Sequence, residues 1–198
     1  MKKLSALVGF LSFFFVGTVA AEESELSYSN LTISYLDGDV IDTDANGFGI
    51  RGSLGFAGAW FVSAEFNRAS VDDVAVLGVG EIDLDLDEIA ADIGYHWNVG
   101  RRTDLVASFG VSRIELDAAG VNSVGGHGYD VNIGVRGKPV DQFEYGFLVG
   151  YYNGGDYAGD VQFFGEARYH FLDAKSVGVR YRINDDIDYW GVDIRVDF

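Results

Sequence analysis

From Leu31 to the last residue the chain alternates, with apolar side chains at every second position in ten segments, which is the period of a β-strand. The apolar positions begin Leu31, Ile33, Tyr35, then Phe48, Ile50, Gly52, Leu54, Phe56, then Trp60, Val62, Ala64, Phe66. A fourth set runs from Ile89 to Trp97, a fifth from Leu105 to Val111 and a sixth from Tyr129 to Val135. The last four run from Phe143 to Tyr151, from Val161 to Phe171, from Val177 to Ile183 and from Trp190 to Phe198. No charged residue occupies this register. The opposite register holds Arg51, Glu65, Asp92, His96, Asp130, Arg136 and Glu144, followed by Glu166, Arg168, His170, Arg180, Arg182, Asp193, Arg195 and Asp197. One face of the predicted sheet is apolar and the other ionic.

A soluble sandwich or barrel alternates in the same way, so the period alone does not say which face meets which solvent. The distribution of aromatic residues does. In the apolar register Trp60, Trp97, Phe143, Phe171 and Phe198 stand at one strand end, and Tyr35, Phe48, Phe66, Tyr129, Tyr151 and Trp190 at the other. Two aromatic girdles around an aliphatic middle mark the outside of a membrane barrel. Glycines 49, 94, 110, 134, 146, 150, 178 and 191 recur in the ionic register and leave room inside a narrow lumen. Connections alternate between short ones near Ala57-Gly58, Asn98 to Thr103, GKPVDQ and LDAKS, and longer acidic ones such as DGDVIDTDAN and SVDDVAVLGVGEIDLDLD. Short periplasmic turns and longer acidic extracellular loops follow if both termini are periplasmic. The expected fold is an all-β, antiparallel up-and-down transmembrane β-barrel of ten strands, with eight as the fallback if the first or fifth segment is not a strand. The apolar register slips between Tyr28 and Leu31 and again between Leu86 and Ile89, where bulges are expected.

Residues 1–21 differ from the rest. Lys2 and Lys3 precede an apolar run from Leu4 to Val16, then Val19-Ala20-Ala21, which reads as a signal peptide cleaved near Ala21. That run is shorter than the roughly 20 residues of a spanning helix. The barrel domain is then 22–198. The formal net charge of −17 becomes −19 without the two lysines of the signal segment. Such a charge excludes nucleic acid as a partner and favours cations. With no cysteine, no disulfide framework is available.

The segments NGFGIRGSLGF, IAADIGYHWNVGRRTDLVASFGVSRIELD, GYDVNIGVRGK, FEYGFLVGYYN and the terminal strand resemble the small OmpA-like outer-membrane barrel proteins of gram-negative proteobacteria. They are most similar to a barrel family of plant pathogens once proposed as a quorum signal and immune elicitor. The resemblance covers most of residues 27–198 and implies an outer-membrane location, in contact with lipid and lipopolysaccharide. It also implies that Trp190, Val192, Ile194, Val196 and Phe198 are a signal read by the barrel-assembly machinery.

Candidate chemistry is sparse. His127 in GGHGYD lies near the outer rim, but no serine follows two residues later as in lipid A deacylases, and an omptin-like protease would need a taller barrel. His96 and His170 fall at periplasmic strand ends, where a hydrogen-bonded role is expected. The acidic stretches offer oxygen ligands at alternate positions without the spacing of an EF-hand, so only weak, collective divalent-cation binding is expected. No dedicated metal site, cofactor or enzymatic activity is expected. Inside, Arg51, Arg136, Arg168, Arg180, Arg182 and Arg195 are expected to oppose Glu65, Asp92, Asp130, Glu144, Glu166 and Asp193. These charges either interlock as a plug or line a narrow passive channel. The functional expectation is a structural and surface-interaction protein with a plugged lumen.

Overall fold

A sheet that is apolar on one face and ionic on the other must hide one face from whatever solvent it touches. In water the apolar face goes inside; in lipid the ionic face does. The computed structural model describes residues 25–40, 43–76, 80–118, 124–154, 159–184 and 187–198, so the expected signal peptide and its cleavage site fall outside the described residues. Ten strands follow in order: β1 (Asn30–Val40), β2 (Thr43–Phe56), β3 (Trp60–Val76), β4 (Gly80–Gly100) and β5 (Thr103–Ala118), then β6 (Val124–Val140), β7 (Phe143–Asn153), β8 (Asp160–Leu172), β9 (Lys175–Ile183) and β10 (Ile187–Asp197). Each pairs antiparallel with its sequence neighbours. β10 also pairs with β1 from Asn30 opposite Asp197 to Val40 opposite Ile187, closing the barrel and leaving no free edge.

The ionic face is inside. On β1, Thr32 and Ser34 are 0% and 4% exposed while Ile33 between them is 57% exposed. The last strand repeats the contrast, with Asp193 and Arg195 each at 2% and Val192, Ile194 and Val196 exposed. Exposed apolar surface encircling the molecule on this scale is compatible only with a lipid surround. Both aromatic girdles face outward, including Trp60, Trp97 and Phe143 below and Tyr35, Phe48, Tyr129 and Trp190 above.

At one end the strands are joined by two- or three-residue turns: 57–59, 101–102, 141–142 and 173–174. Ala57 at φ 49° and Gly58 at φ 78° both take the left-handed conformation that closes the first of them. At the other end the structure corrects the expected loops. Much of DGDVIDTDAN and of SVDDVAVLGVGEIDLDLD is ladder rather than loop, because β1 and β2 pair up to Val40 opposite Thr43, and β3 and β4 pair up to Val76 opposite Gly80. With 17 and 21 residues, β3 and β4 stand well above the 9-residue β9, so the wall is higher on one side.

The two expected bulges are also corrected. β4 keeps one register against β5 from Leu84 to Asn98, and the irregularity lies on β3 between Val71 and Val74. The apparent slip at Leu86 is a change of solvent instead. Above the outer girdle the alternation continues but its chemistry reverses: Leu36, Ala45, Val71 and Leu86 point inward and are buried, while Asp37, Asp44, Arg68, Asp85, Asp87, Arg113 and Glu115 occupy the outward register. This collar is built like a soluble barrel, because water has replaced lipid outside it. At the other end of β1, the shift near Tyr28 is no bulge either. β1 starts at Asn30, and Leu26 and Tyr28 turn into the barrel.

The reversal predicts a height-dependent response to charge. Ile133→Arg, at the most exposed of the large apolar side chains on the described part of β6, should cost about 2–4 kcal/mol in bilayer unfolding titrations, whereas Asp117→Arg on the collar should cost about 0–1 kcal/mol. Equal costs would contradict a membrane boundary between them.

Candidate functional site, the charged lumen

All twelve charged residues expected in the lumen point inward, from eight strands. The inward glycines make room for them. At Gly94 an added Cβ would lie 2.1 Å from the Phe61 ring, and at Gly178 it would press on the Arg168 guanidinium at 3.1 Å.

Nearest the short turns, Glu144 on β7 is 1% exposed and receives three partners: Arg136 at 2.6 Å, Arg195 through two bonds at 3.0 and 2.6 Å, and His170 Nε2 at 3.0 Å. Arg195 also reaches Asp197 at 2.9 Å. Beside this group Arg168 donates to Asp193 at 2.7 Å, both side chains fully buried. At mid-height Glu166 lies among Arg51 at 3.3 Å, Arg168 at 3.8 Å and Arg136 at 4.0 Å. Higher still, Arg180 of β9 crosses to Glu65 of β3 at 2.8 Å, and Arg182 crosses to Glu88 of β4 at 3.0 Å, with Asn67 donating to Glu88 at 3.1 Å.

The expected pairing of six arginines with six named carboxylates is therefore corrected at two places. Asp92 accepts from Ser63 at 3.3 Å and Asp130 accepts from Asn132 Nδ2, and among the described residues neither forms an ion pair. They flank Gly110, where a Cβ would sit 2.4 Å from one Oδ1 and 2.5 Å from the other. Glu88 takes the expected place opposite Arg182. It directly follows a stretch read as loop, and only its parity with Asp92 could have revealed it.

Below the charges lies a second feature that strand periodicity missed. Residues 25–29 leave the foot of β1 and enter the barrel. Tyr28 is stacked on His96 of β4 with ring centroids 4.0 Å apart, sits 5.1 Å from the Phe61 ring and lies under the Arg136 guanidinium at 4.6 Å. Its hydroxyl donates to Asp104 at 3.0 Å, and the same carboxylate oxygen lies 3.2 Å from His96 Nδ1. Leu26, Tyr28, Phe61 and Val106 form a small apolar core here, with Leu148 against it. His170 is hydrogen-bonded to Glu144 as its position suggested, whereas His96 approaches Asp104 at 3.2 Å and is held chiefly by its stacking on Tyr28. His127 is exposed on the outer side of β6 beside Arg113.

A cavity of about 190 Å³ runs between Tyr28 at the bottom and Arg182 and Tyr189 at the top, lined by Arg51, Glu65, Asp92, Asn132, Glu166 and Arg180. A smaller one above it reaches from Tyr189, Asn67 and Glu88 to Leu36 and Leu86. The layer of Arg182, Glu88, Asn67 and Tyr189 separates them.

Removing one partner from a buried ion pair strands the other, at a cost of about 3–5 kcal/mol. Glu144→Gln, which takes the shortest carboxylate contact from both Arg136 and Arg195 and leaves them Glu166 at 4.0 Å and Asp197 at 2.9 Å, should lower the unfolding free energy in bilayers by an amount toward the low end of that range. Glu65→Gln, at a more exposed site with one arginine contact, should cost less. The reverse order would show that the Glu144 cluster does not hold the lower barrel.

Comparison with known proteins agrees with this architecture. A NanC porin structure superposes with a TM-score of 0.53 at 11% identity, covering 85% of this chain and 98% of the porin. The KdgM porin gives 0.44 at 14% identity, over 84% of this chain and 99% of that one. The Ail protein of Yersinia pestis in a nanodisc gives 0.44 at 15% identity, over 86% and 99%. No curated protein matches the sequence. Residues 6–171 match the family model described as "Outer membrane protein beta-barrel domain", and the chain belongs to that family of outer-membrane β-barrels.

Proposed function

We propose that this barrel is a non-enzymatic structural and surface component of the outer membrane whose lumen is closed by paired charges. The observation that carries the reading is that each of the six lumen arginines has a carboxylate within 3.3 Å: Arg51 with Glu166, Arg136 and Arg195 with Glu144, Arg168 with Asp193, Arg180 with Glu65, and Arg182 with Glu88. Ten strands enclose little more than the eight whose interior side chains can fill, far fewer than the 16 to 18 of an open porin. Cross-lumen pairs at this diameter act as struts.

A second reading, a narrow passive channel for ions or small solutes, is favoured by the cavity between the struts and by Asp92, which lines it without an ion pair among the described residues. Planar-bilayer recording separates the two. The plugged barrel gives no discrete openings in the wild type. Wild-type openings whose conductance changes in Arg180→Gln or Arg182→Gln would replace the first reading with the second. The remote third reading, a surface hydrolase, has only His127 to offer, and that side chain faces outward rather than into a cleft.

The acidic collar supports a partner. Asp37, Asp39, Asp44, Asp85, Asp87, Glu115 and Asp117 face outward just above the outer girdle, where headgroup phosphates of a surrounding leaflet would lie, and Arg68 is already engaged by Asp85 at 2.8 Å and Asp87 at 3.6 Å. Divalent cations shared between these carboxylates and lipid phosphates would relieve the repulsion. In lipopolysaccharide-containing bilayers, millimolar Ca²⁺ should raise the melting temperature and the protease resistance of the collar. An unchanged melting temperature and digestion pattern would exclude this contact.

A further inference from the structure

We infer that residues Glu25–Ser29 form a displaceable strap that closes the short-turn mouth of the lumen and controls access to the cavity above it. β1 stands opposite β6 in the ring of ten strands, yet Arg136 of β6 donates to the Ser27 carbonyl at 3.3 Å, and Arg102, in the turn between β4 and β5, pairs with Glu25 at 2.7 Å. The segment therefore runs from its own strand toward the far wall, across the opening rather than up its side. Tyr28 is its wedge, held between His96 and Arg136, and its side chain forms part of the cavity floor.

What holds the strap is separate from what holds the barrel. The β1 ladder begins at Asn30. Within the strap the partners are mostly side chains: Ser53 Oγ donates to the Tyr28 carbonyl at 2.8 Å, Ser29 Oγ accepts from the Gly55 amide at 3.1 Å, and Tyr28 is fixed by stacking and one hydroxyl bond. Ser29 is the hinge, its carbonyl accepting from the Phe198 amide at 3.0 Å, and Glu25–Tyr28 can leave without breaking that bond or any rung between β1 and its neighbours, so their release is a local opening rather than unfolding. The strap touches the paired charges only at their lower edge, through Arg136, which also pairs with Glu144; among the described residues the upper pairs Arg182–Glu88 and Arg180–Glu65 make no contact with it. The lumen thus has two closures in series, one ionic and built into the wall, one aromatic and detachable. The inference rests on the cavity described above and holds whether or not the ionic layer conducts.

The chain has no cysteine, so a single introduced thiol reports without background. Val106 is 4% exposed and sits in the apolar core under the strap. Val106→Cys in the otherwise intact full chain should react slowly with a cationic methanethiosulfonate. Adding Leu26→Ala and Tyr28→Ala should accelerate the reaction roughly tenfold or more, with the heat-dependent gel shift of the folded barrel retained. A milder variant guards against misfolding. Glu25→Arg alters only a half-exposed pair, and should raise the rate up to about fivefold, with Arg102→Glu restoring it. Equal rates in all backgrounds, or a thiol already fast under the intact strap, would overturn the inference. Because the readout is thiol access rather than conductance, and the arginines are untouched, a failure here is distinct from a failure of the plug.

Discussion

Inside a hydrocarbon layer there is no water to satisfy a peptide group, so every backbone N–H and C=O must find its partner in the chain. A sheet meets that demand only by closing, and the pairing of β1 with β10 over the full length of both strands is where this one closes. Much of the remaining structure follows from that ring. With ten strands it is too narrow for a water-filled pore of porin size, so the residues facing inward must pack against each other. Facing outward they meet lipid, so charge must go in and apolar side chains out.

The collar shows the same rule from the other side. β4 and β5 do not change register against each other as they rise out of the membrane, but the solvent outside them does, and the chemistry of the two faces exchanges within about one residue pair: at Leu36 and Asp37 on β1, at Glu88 and Asp87 on β4, at Ser112 and Arg113 on β5. The boundary can be read as a level surface around the high side of the barrel. It also locates the acidic residues. Those among the described residues belong to hydrogen-bonded wall rather than to loops.

Placing charges inside a narrow, low-dielectric ring is costly unless they pair, and pairing is favourable only with good geometry. The lumen meets this with arginine on one side and glutamate on the other, so that β9 is tied to β3 and β4, and β2 to β8. Such cross-lumen ties couple strands that share no ladder. They leave a cavity between them instead of filling the space, which is why closure at the foot of the barrel falls to an aromatic side chain from a segment outside the sheet.

Much of this was legible in the chain. Period-two alternation identified ten strands, the aromatic girdles said which face meets lipid, and the inward orientation of Arg51, Glu144, Arg168 and Asp193 follows from parity alone, because a strand cannot turn one side chain without turning all of them. The same rule explains the misreadings. Leu84 and Leu86 were judged against a lipid-facing standard where the strand had already entered water, so unbroken ladder resembled a slip followed by a loop. Parity was sufficient for facing but silent on partners. Glu88 rather than Asp92 or Asp130 holding Arg182, and Tyr28 reaching Asp104 and His96 from across the mouth, depend on how far each strand is staggered around a closed ring. That stagger is a property of ten strands closing together, and no local stretch of sequence carries it.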